Sequence, residues 1–137
     1  MAAQPSFPAT PATLFARIQN SDGTNFVTVL TAGGSGTIIE KLAIATDETV
    51  SRDIQFWVTI SSVDYWLFTV QATTLAGTTS SNAALDVLGN ANATFWKYDA
   101  AGNKVFYLPN GAVLKAKSAA TLTSAKIVYI NGMASDY

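Results

Sequence analysis

Alternation of apolar and polar residues over strand-length runs is the dominant pattern in this chain. It is clearest at Arg52–Ile60, where the side chains divide between two faces. One face carries Ile54, Phe56, Val58 and Ile60, and the other carries Asp53, Gln55, Trp57 and Thr59. A period of two is the spacing of a strand that buries one face. The pattern therefore predicts a half-buried strand here.

The next apolar run, residues 64–73, is predicted to pair with this strand in a hairpin. A three-residue loop of Ser61, Ser62 and Val63 connects the two runs. The resulting cross-strand pairs are Val58 with Trp66, Phe56 with Phe68, and Ile54 with Val70. Because cross-strand pairs are the unit of sheet stabilisation, we expect three large contacts on one face.

Short apolar runs separated by turn residues fill most of the remaining chain. Further predicted strands cover residues 13–20, 25–31, 37–46, 94–98, 104–108, 112–117 and 124–131. Residues 83–88 fit either a short strand or one helical turn, and residues 74–82 fit a crossover or an exposed loop. About nine short strands without a long amphipathic helix predict an all-β fold, either an antiparallel β-sandwich or a barrel. Periodicity alone does not select the jelly roll among these.

Residues 1–12 differ from the rest of the chain. Pro5, Pro8 and Pro11 recur at every third position, which favours an extended, unpaired arm. The arm is either a disordered terminus or a peptide that lies over a neighbouring subunit and becomes ordered on contact. In the second case Phe7 is its anchor. The predicted organisation is thus an arm of residues 1–12 and a single β-sandwich domain of residues 13–137.

The outward face of the predicted hairpin carries unusually large side chains. Its parity places Trp57 opposite Leu67, and Thr59 opposite Tyr65. Trp57, Tyr65 and Leu67 form a candidate contact patch, unless another part of the same chain covers them. Burial by a partner would contribute on the order of 5–8 kcal/mol, against an association cost of about 4–15 kcal/mol. A multivalent assembly that repeats the contact is therefore favoured over a monomeric binder.

Catalytic chemistry has little support in this composition. The chain has no cysteine and no histidine, and histidine is the commonest general base and metal ligand near neutral pH. The remaining candidates are the carboxylates of Asp47, Glu48 and Asp53, for a glycosidase pair or for calcium. No calcium-loop spacing accompanies them, and Asp22 and Asp99 fit ordinary turns. We expect no enzymatic activity, no cofactor and no metal site.

Charge is sparse, which bears on the class of partner. Only 12% of the residues are charged and the net charge is −1, so self-association meets little electrostatic repulsion. Lys115 and Lys117 are the densest cationic pair and are interpreted as a solvated strand face, so nucleic acid is not an expected partner. The chain lacks a signal-peptide pattern and a bilayer-length apolar run. We expect synthesis in a cytoplasm and no membrane partner.

Six segments carry a likeness that extends over residues 13–137. They are TVLTAG at 28–33, GTII at 36–39, AIATD at 43–47, RDIQF at 52–56, YLPNGAVLKA at 107–116 and the final Asp136-Tyr137. Together they resemble a family of small virion structural proteins of tailed bacteriophages.

This resemblance implies a capsid decoration (cement) protein without enzymatic activity. It implies a jelly-roll-like β fold, a homotrimer, and a position on the outer capsid surface at three-fold sites of the major capsid protein. It also adds Tyr137 to the candidate interface residues. The protein would be made in the host cytoplasm and become part of the virion.

Two other functions stay open at this point. A neck, tail or fibre component would have the same structural character at another place on the virion. A carbohydrate- or receptor-binding β-sandwich module would stack Trp57, Tyr65 or Trp96 on sugar rings.

Overall fold

The fold is that of a computed structural model, which describes residues 10–91 and 97–137. Its strands are β1 (Thr10–Ala12), β2 (Phe15–Gln19), β3 (Val27–Thr31), β4 (Thr37–Thr46), β5 (Arg52–Ile60), β6 (Val63–Ala72), β7 (Leu85–Asp86), β8 (Lys97–Tyr98), β9 (Lys104–Leu108), β10 (Val113–Ser118) and β11 (Ile127–Asp136). The helical elements are a 3-10 turn at Asn20–Asp22 and the single-turn helix α1 at Val87–Asn90.

The strands form two antiparallel sheets that pack face to face. The larger sheet has the order β1-β11-β4-β9-β8, with β2 also paired to β11 and β7 to β4. The smaller sheet has the order β3-β10-β5-β6. The predicted all-β, antiparallel β-sandwich is confirmed.

Eight of the strands form a nested series of antiparallel pairs. β5 pairs with β6, β4 with β9, β3 with β10 and β2 with β11. Successive pairs in this series alternate between the two sheets. The eight strands therefore have the connectivity of one long antiparallel hairpin whose strand pairs are distributed between the two sheets of a sandwich. This strand order is that of a jelly roll.

The core lies between the two sheets. From the larger sheet it receives Ile18, Ile39, Leu42, Ile44, Val128 and Ile130, and from the smaller sheet Ile54, Phe56, Phe68, Val70 and Leu114. Phe56 and Phe68 stack across β5 and β6 with ring centroids 5.1 Å apart. The pairs Phe56–Phe68 and Ile54–Val70 therefore form as the alternating pattern predicts.

The β5–β6 hairpin departs from its prediction at the loop and at one strand position. The loop consists of Ser61 and Ser62 alone, with φ angles of 51° and 64°, as in the two-residue type I′ turn that suits a twisted hairpin. A bulge then makes Leu67 an extra residue, so Trp57 lies opposite Trp66 rather than Leu67. The predicted Val58–Trp66 and Thr59–Tyr65 pairs are wrong, because Val58 faces Tyr65 and Thr59 faces Asp64.

The predicted arm is partly a strand. Thr10, Pro11 and Ala12 pair with Asp136, Ser135 and Ala134 of β11, so the expectation of an unpaired arm is wrong for these three residues. Pro11 is tolerated because β1 lies at the edge of its sheet. Phe7 and the rest of residues 1–9 lie outside the described residues, as does Trp96.

Candidate interaction surface

Three aromatic side chains form a row across the outer face of the smaller sheet. Phe26, Trp57 and Trp66 make up this aromatic strip. The rings of Trp57 and Trp66 are stacked, with centroids 5.1 Å apart and planes 13° apart. Phe26 meets Trp57 edge-on, with centroids 5.5 Å apart and an angle of 73°. Both arrangements are ones that aromatic pairs prefer.

The bulge at Leu67 is what creates this strip. An extra residue in β6 reverses the parity of the residues before it. Trp66 consequently lies on the outer face beside Trp57, and Leu67 packs against the core. The predicted patch of Trp57, Tyr65 and Leu67 is therefore not brought together. Tyr65 is exposed, but it is paired with the inward-facing Val58.

Hydrogen bonds fix the orientation of both indoles. The Nε1 of Trp57 donates to Oε1 of Gln55 at 3.1 Å, and the Nε1 of Trp66 donates to Oγ1 of Thr69 at 3.2 Å. These partners lie in the same two strands as the tryptophans. Because the polar atoms of the rings are already bonded, the strip offers apolar ring surface to a partner.

Two lysines of β10 flank the strip. The Nζ of Lys117 lies 4.8 Å from the ring centroid of Phe26 and 5.1 Å from that of Trp57. Lys115 is 5.6 Å from Phe26 and also 3.9 Å from Oδ1 of Asp64. Cations over aromatic faces are attracted by the ring quadrupole. The two lysines are thus half-buried parts of the strip, rather than the solvated face that the sequence indicates.

Exposure distinguishes the two tryptophans. Trp57 is half-buried between Trp66, Phe26 and Lys117, whereas Trp66 is 56% exposed at the edge strand β6. Tryptophan is enriched among the residues that contribute most of the binding energy of protein interfaces. Trp66 is a functional candidate that the alternating pattern does not reveal, because a strict period of two places this residue in the core.

A second apolar feature lies at one end of the sandwich, where β6 and β9 border the open side. A cavity of about 300 Å³, called here the end cavity, is lined by Val58, Ile60, Leu67, Phe106, Tyr107, Leu108 and Pro109. The tip of the β5–β6 hairpin extends beside it and exposes Ile60, Val63 and Tyr65. The alternating pattern predicts that apolar side chains point into the core, but at this end of the sandwich several of them are exposed.

Tyr137 is held by its own chain near the same end. Its backbone N–H donates to the carbonyl of Gly36 at 3.0 Å, and its ring meets that of Tyr107 edge-on at 5.8 Å. Asp136 accepts a hydrogen bond from the buried hydroxyl of Thr37. The terminal Asp-Tyr pair therefore ties β11 to the loop before β4, and Tyr137 remains half-buried.

The candidate carboxylates link loops at the opposite end. Glu48 is fully buried and accepts hydrogen bonds from the N–H of Thr123 at 2.6 Å and from its hydroxyl at 2.9 Å. The Nε of Arg52 lies 3.5 Å from Oε1 of Glu48. Asp47 accepts from the N–H of Ile127 at 2.9 Å. These bonds hold the β4–β5 loop to the β10–β11 loop, and Asp53 is exposed beside them.

The turn aspartates have ordinary backbone partners. Asp22 accepts from the N–H of Gln19 at 2.7 Å. Hydrogen bonds from the N–H groups of Asn103 and Ala101 lower the pKa of the Asp99 carboxyl below its ordinary value. Within residues 10–91 and 97–137, no cluster of three or more acidic side chains is suited to hold a metal ion.

Two comparisons, with protein-family models and with curated proteins, give no relative. Among the described residues, no helix has the length and apolar character needed to cross a bilayer.

Proposed function

We propose that this chain is a non-enzymatic structural protein of a tailed-bacteriophage virion, and specifically a trimeric capsid decoration protein. It would be made in the host cytoplasm and would bind the major capsid lattice from outside, stabilising that lattice. The observation that carries the proposal is the aromatic strip, a pre-oriented apolar surface on the outer face of a jelly-roll sheet. The segments that resemble phage virion proteins support the same assignment.

The strip suits contact with a protein surface. Its rings are held by Gln55 and Thr69 and supported by Lys117, so binding would cost little side-chain entropy. One such contact contributes on the order of 5 kcal/mol, which is within the cost of association of about 4–15 kcal/mol. Three linked copies would gain from effective concentration. A trimer that contacts a repeating lattice is therefore favoured over a monomer.

Position on the virion tests the assignment directly. Immunogold electron microscopy would use an antibody to this chain and virions of the phage that encodes it. Label distributed over the head is expected for a decoration protein. Label at one vertex or along the tail would overturn the proposal and identify a neck, tail or fibre component.

The role of the strip is tested with shells that lack this protein. Purified chain is added to the shells and co-sedimentation is measured for the wild type, for W66A and for Y98A. Tyr98 is 66% exposed on the larger sheet and serves as the matched aromatic control. W66A is expected to bind at least about tenfold more weakly, and Y98A to bind as the wild type does. Equal binding of all three would exclude the strip as the contact.

The trimer is tested by light scattering on the purified protein. A mass of three chains is expected, and a mass of one chain would contradict the trimeric part of the proposal.

A carbohydrate-binding module is the second candidate, because the exposed ring of Trp66 offers a surface on which a sugar could stack. A glycan array separates the two functions. A signal that W66A abolishes would favour the module, and the absence of signal is expected for a decoration protein.

A further inference from the structure

We propose that the end cavity is the binding site for Phe7 of a second copy of this chain, so that the copies are joined head to tail. The cavity and the N-terminal segment are complementary in chemistry, and their positions on the fold favour a contact between copies over one within a copy. In the trimer proposed above, Phe7 of one copy and the end cavity of the next would be the two contact surfaces.

The chemistry of the cavity matches that of the segment. None of the described residues that line the cavity is charged, and Ile60 at its rim is 37% exposed. Residues 1–9 contain no charged side chain, and Phe7 is their one aromatic residue. Pro5 and Pro8 restrict the backbone on both sides of it, which lowers the entropic cost of ordering the segment on a surface.

The segment leaves the fold at the same end as the cavity. Thr10 is paired with Asp136, Asp136 with Thr37, and Thr37 with Leu108. These residues form one row across the larger sheet, and Leu108 lines the cavity. Because β1 begins at Thr10, the preceding residues join the fold at this end of the sandwich.

Distance favours the cavity of another copy. Three lateral steps of an antiparallel sheet separate Thr10 from Leu108, a span of about 15 Å. The three residues from Thr10 back to Phe7 span about 10 Å when fully extended. Within one copy, the Phe7 ring would therefore approach the cavity only if residues 7–10 were fully extended straight along this row. A neighbouring copy can present its cavity without this restriction.

The contact is heterologous, since the donor and acceptor surfaces differ. Each copy offers one Phe7 and one cavity, so every copy can donate to one neighbour and accept from another. Repeated contacts of this kind close into a ring when the rotation between copies permits it. A closed ring of three copies uses every donor and every acceptor.

Engineered disulfides test the contact in the full chain, which has no cysteine of its own. F7C protein is mixed with I60C protein that carries a larger tag, and the mixture is oxidised and separated by non-reducing electrophoresis. V50C is the matched control, because Val50 is an exposed aliphatic residue just before β5 and Ile60 ends the same strand. We expect the mixed F7C–I60C species to form at least about fivefold faster than F7C–V50C. Equal rates would overturn the proposal.

A double variant distinguishes contact within a copy from contact between copies. Oxidised F7C/I60C protein is expected to give covalent dimers and trimers. A monomer with an internal disulfide would overturn the proposal and assign the cavity to the chain's own segment.

Sedimentation of F7A against wild type provides a readout without engineered thiols. Loss of the Phe7 ring is expected to raise the protein concentration at which the trimer dissociates at least about tenfold. The circular dichroism spectrum is expected to stay unchanged. A wild-type trimer that F7A leaves unchanged would exclude the Phe7 contact but retain the trimer. A wild-type monomer would exclude both.

Discussion

The indole of Trp66 lies parallel to that of Trp57 across the β5–β6 pair, with 5.1 Å between ring centroids. In a regular hairpin with the three-residue loop predicted from the sequence, Trp66 would pair with Val58 and would lie on the opposite face of the sheet from Trp57. Their contact depends on the bulge at Leu67. The energetic coupling of the two rings can therefore be measured independently of shell binding.

A double-mutant cycle on W57A, W66A and the combined variant is the first prediction. We expect a coupling of about 0.5–1.5 kcal/mol in the free energy of unfolding, beyond the area that each ring buries. W57A should cost more than W66A, because Trp57 is the less exposed ring. Urea denaturation gives the three values. Additive costs would contradict the stacking.

Gly36 is predicted to be intolerant of a side chain. Its φ is 113°, and a Cβ there would overlap the ring of Tyr107. Displacing that ring breaks the hydrogen bond from the Tyr107 hydroxyl to the carbonyl of Ser35, 3.0 Å long. Strain and overlap together are expected to lower the free energy of unfolding by about 2–3 kcal/mol in G36A.

G111A is the matched control for this variant, because Gly111 has a φ of 81° and open space around it. We expect a loss of about 1 kcal/mol there, from backbone strain alone. Equal losses in the two variants, measured by urea denaturation, would show that the Tyr107 contact contributes nothing.

Glu48 is predicted to be structural. E48A leaves the N–H and hydroxyl of Thr123 without their acceptor and removes the carboxylate that pairs with the Arg52 guanidinium, which should cost about 3 kcal/mol of unfolding free energy. D53A, at an exposed neighbouring carboxylate, should change it by less than about 0.5 kcal/mol. Thermal and urea denaturation provide the values.

Added calcium is expected to leave the wild-type melting temperature unchanged. A rise that E48A abolishes would contradict the structural assignment and would indicate a cation site.

Asp99 is predicted to titrate below the ordinary range of an aspartate. Hydrogen bonds from the N–H groups of Asn103 and Ala101 stabilise its charged form. Since the pKa is lowered in the folded state, the stabilisation of the β8–β9 turn is complete above the ordinary pKa. It is lost as the pH falls through the lowered value.

NMR titration of the Asn103 amide measures this pKa, and D99N serves as the control that removes the transition. A midpoint at or above the ordinary value would contradict the hydrogen-bonded turn.

Much of the fold could be predicted from alternation alone. The bounds predicted for β5 agree with the structure at Arg52–Ile60. Residues 83–88 fit either a short strand or a helical turn, and the structure has both. The strand β7 is at Leu85–Asp86, and the helix α1 begins at Val87. These features follow from local spacing and turn chemistry.

The aromatic strip could not be predicted, for two local reasons. Residues 65–68 are Tyr, Trp, Leu and Phe, so no polar residue marks the bulge or shows which side chain leaves the core. Two-residue loops with positive φ usually carry Asn or Gly, and Ser61-Ser62 gives no such signal. Phe26 and Lys117 join Trp57 only through the β3–β10–β5 pairing, which is non-local.

The nested pairing of the strands has a consequence for how the chain acquires its structure. Of the four nested pairs, β5 and β6 are the one pair joined by a tight turn. Each successive pair outward must close a longer loop, ending with β2 and β11 near the two ends of the described chain. Loop-closure entropy opposes such distant encounters. We expect refolding to start at the Ser61-Ser62 turn, to proceed outward over milliseconds to seconds, and to secure β2 and β11 last.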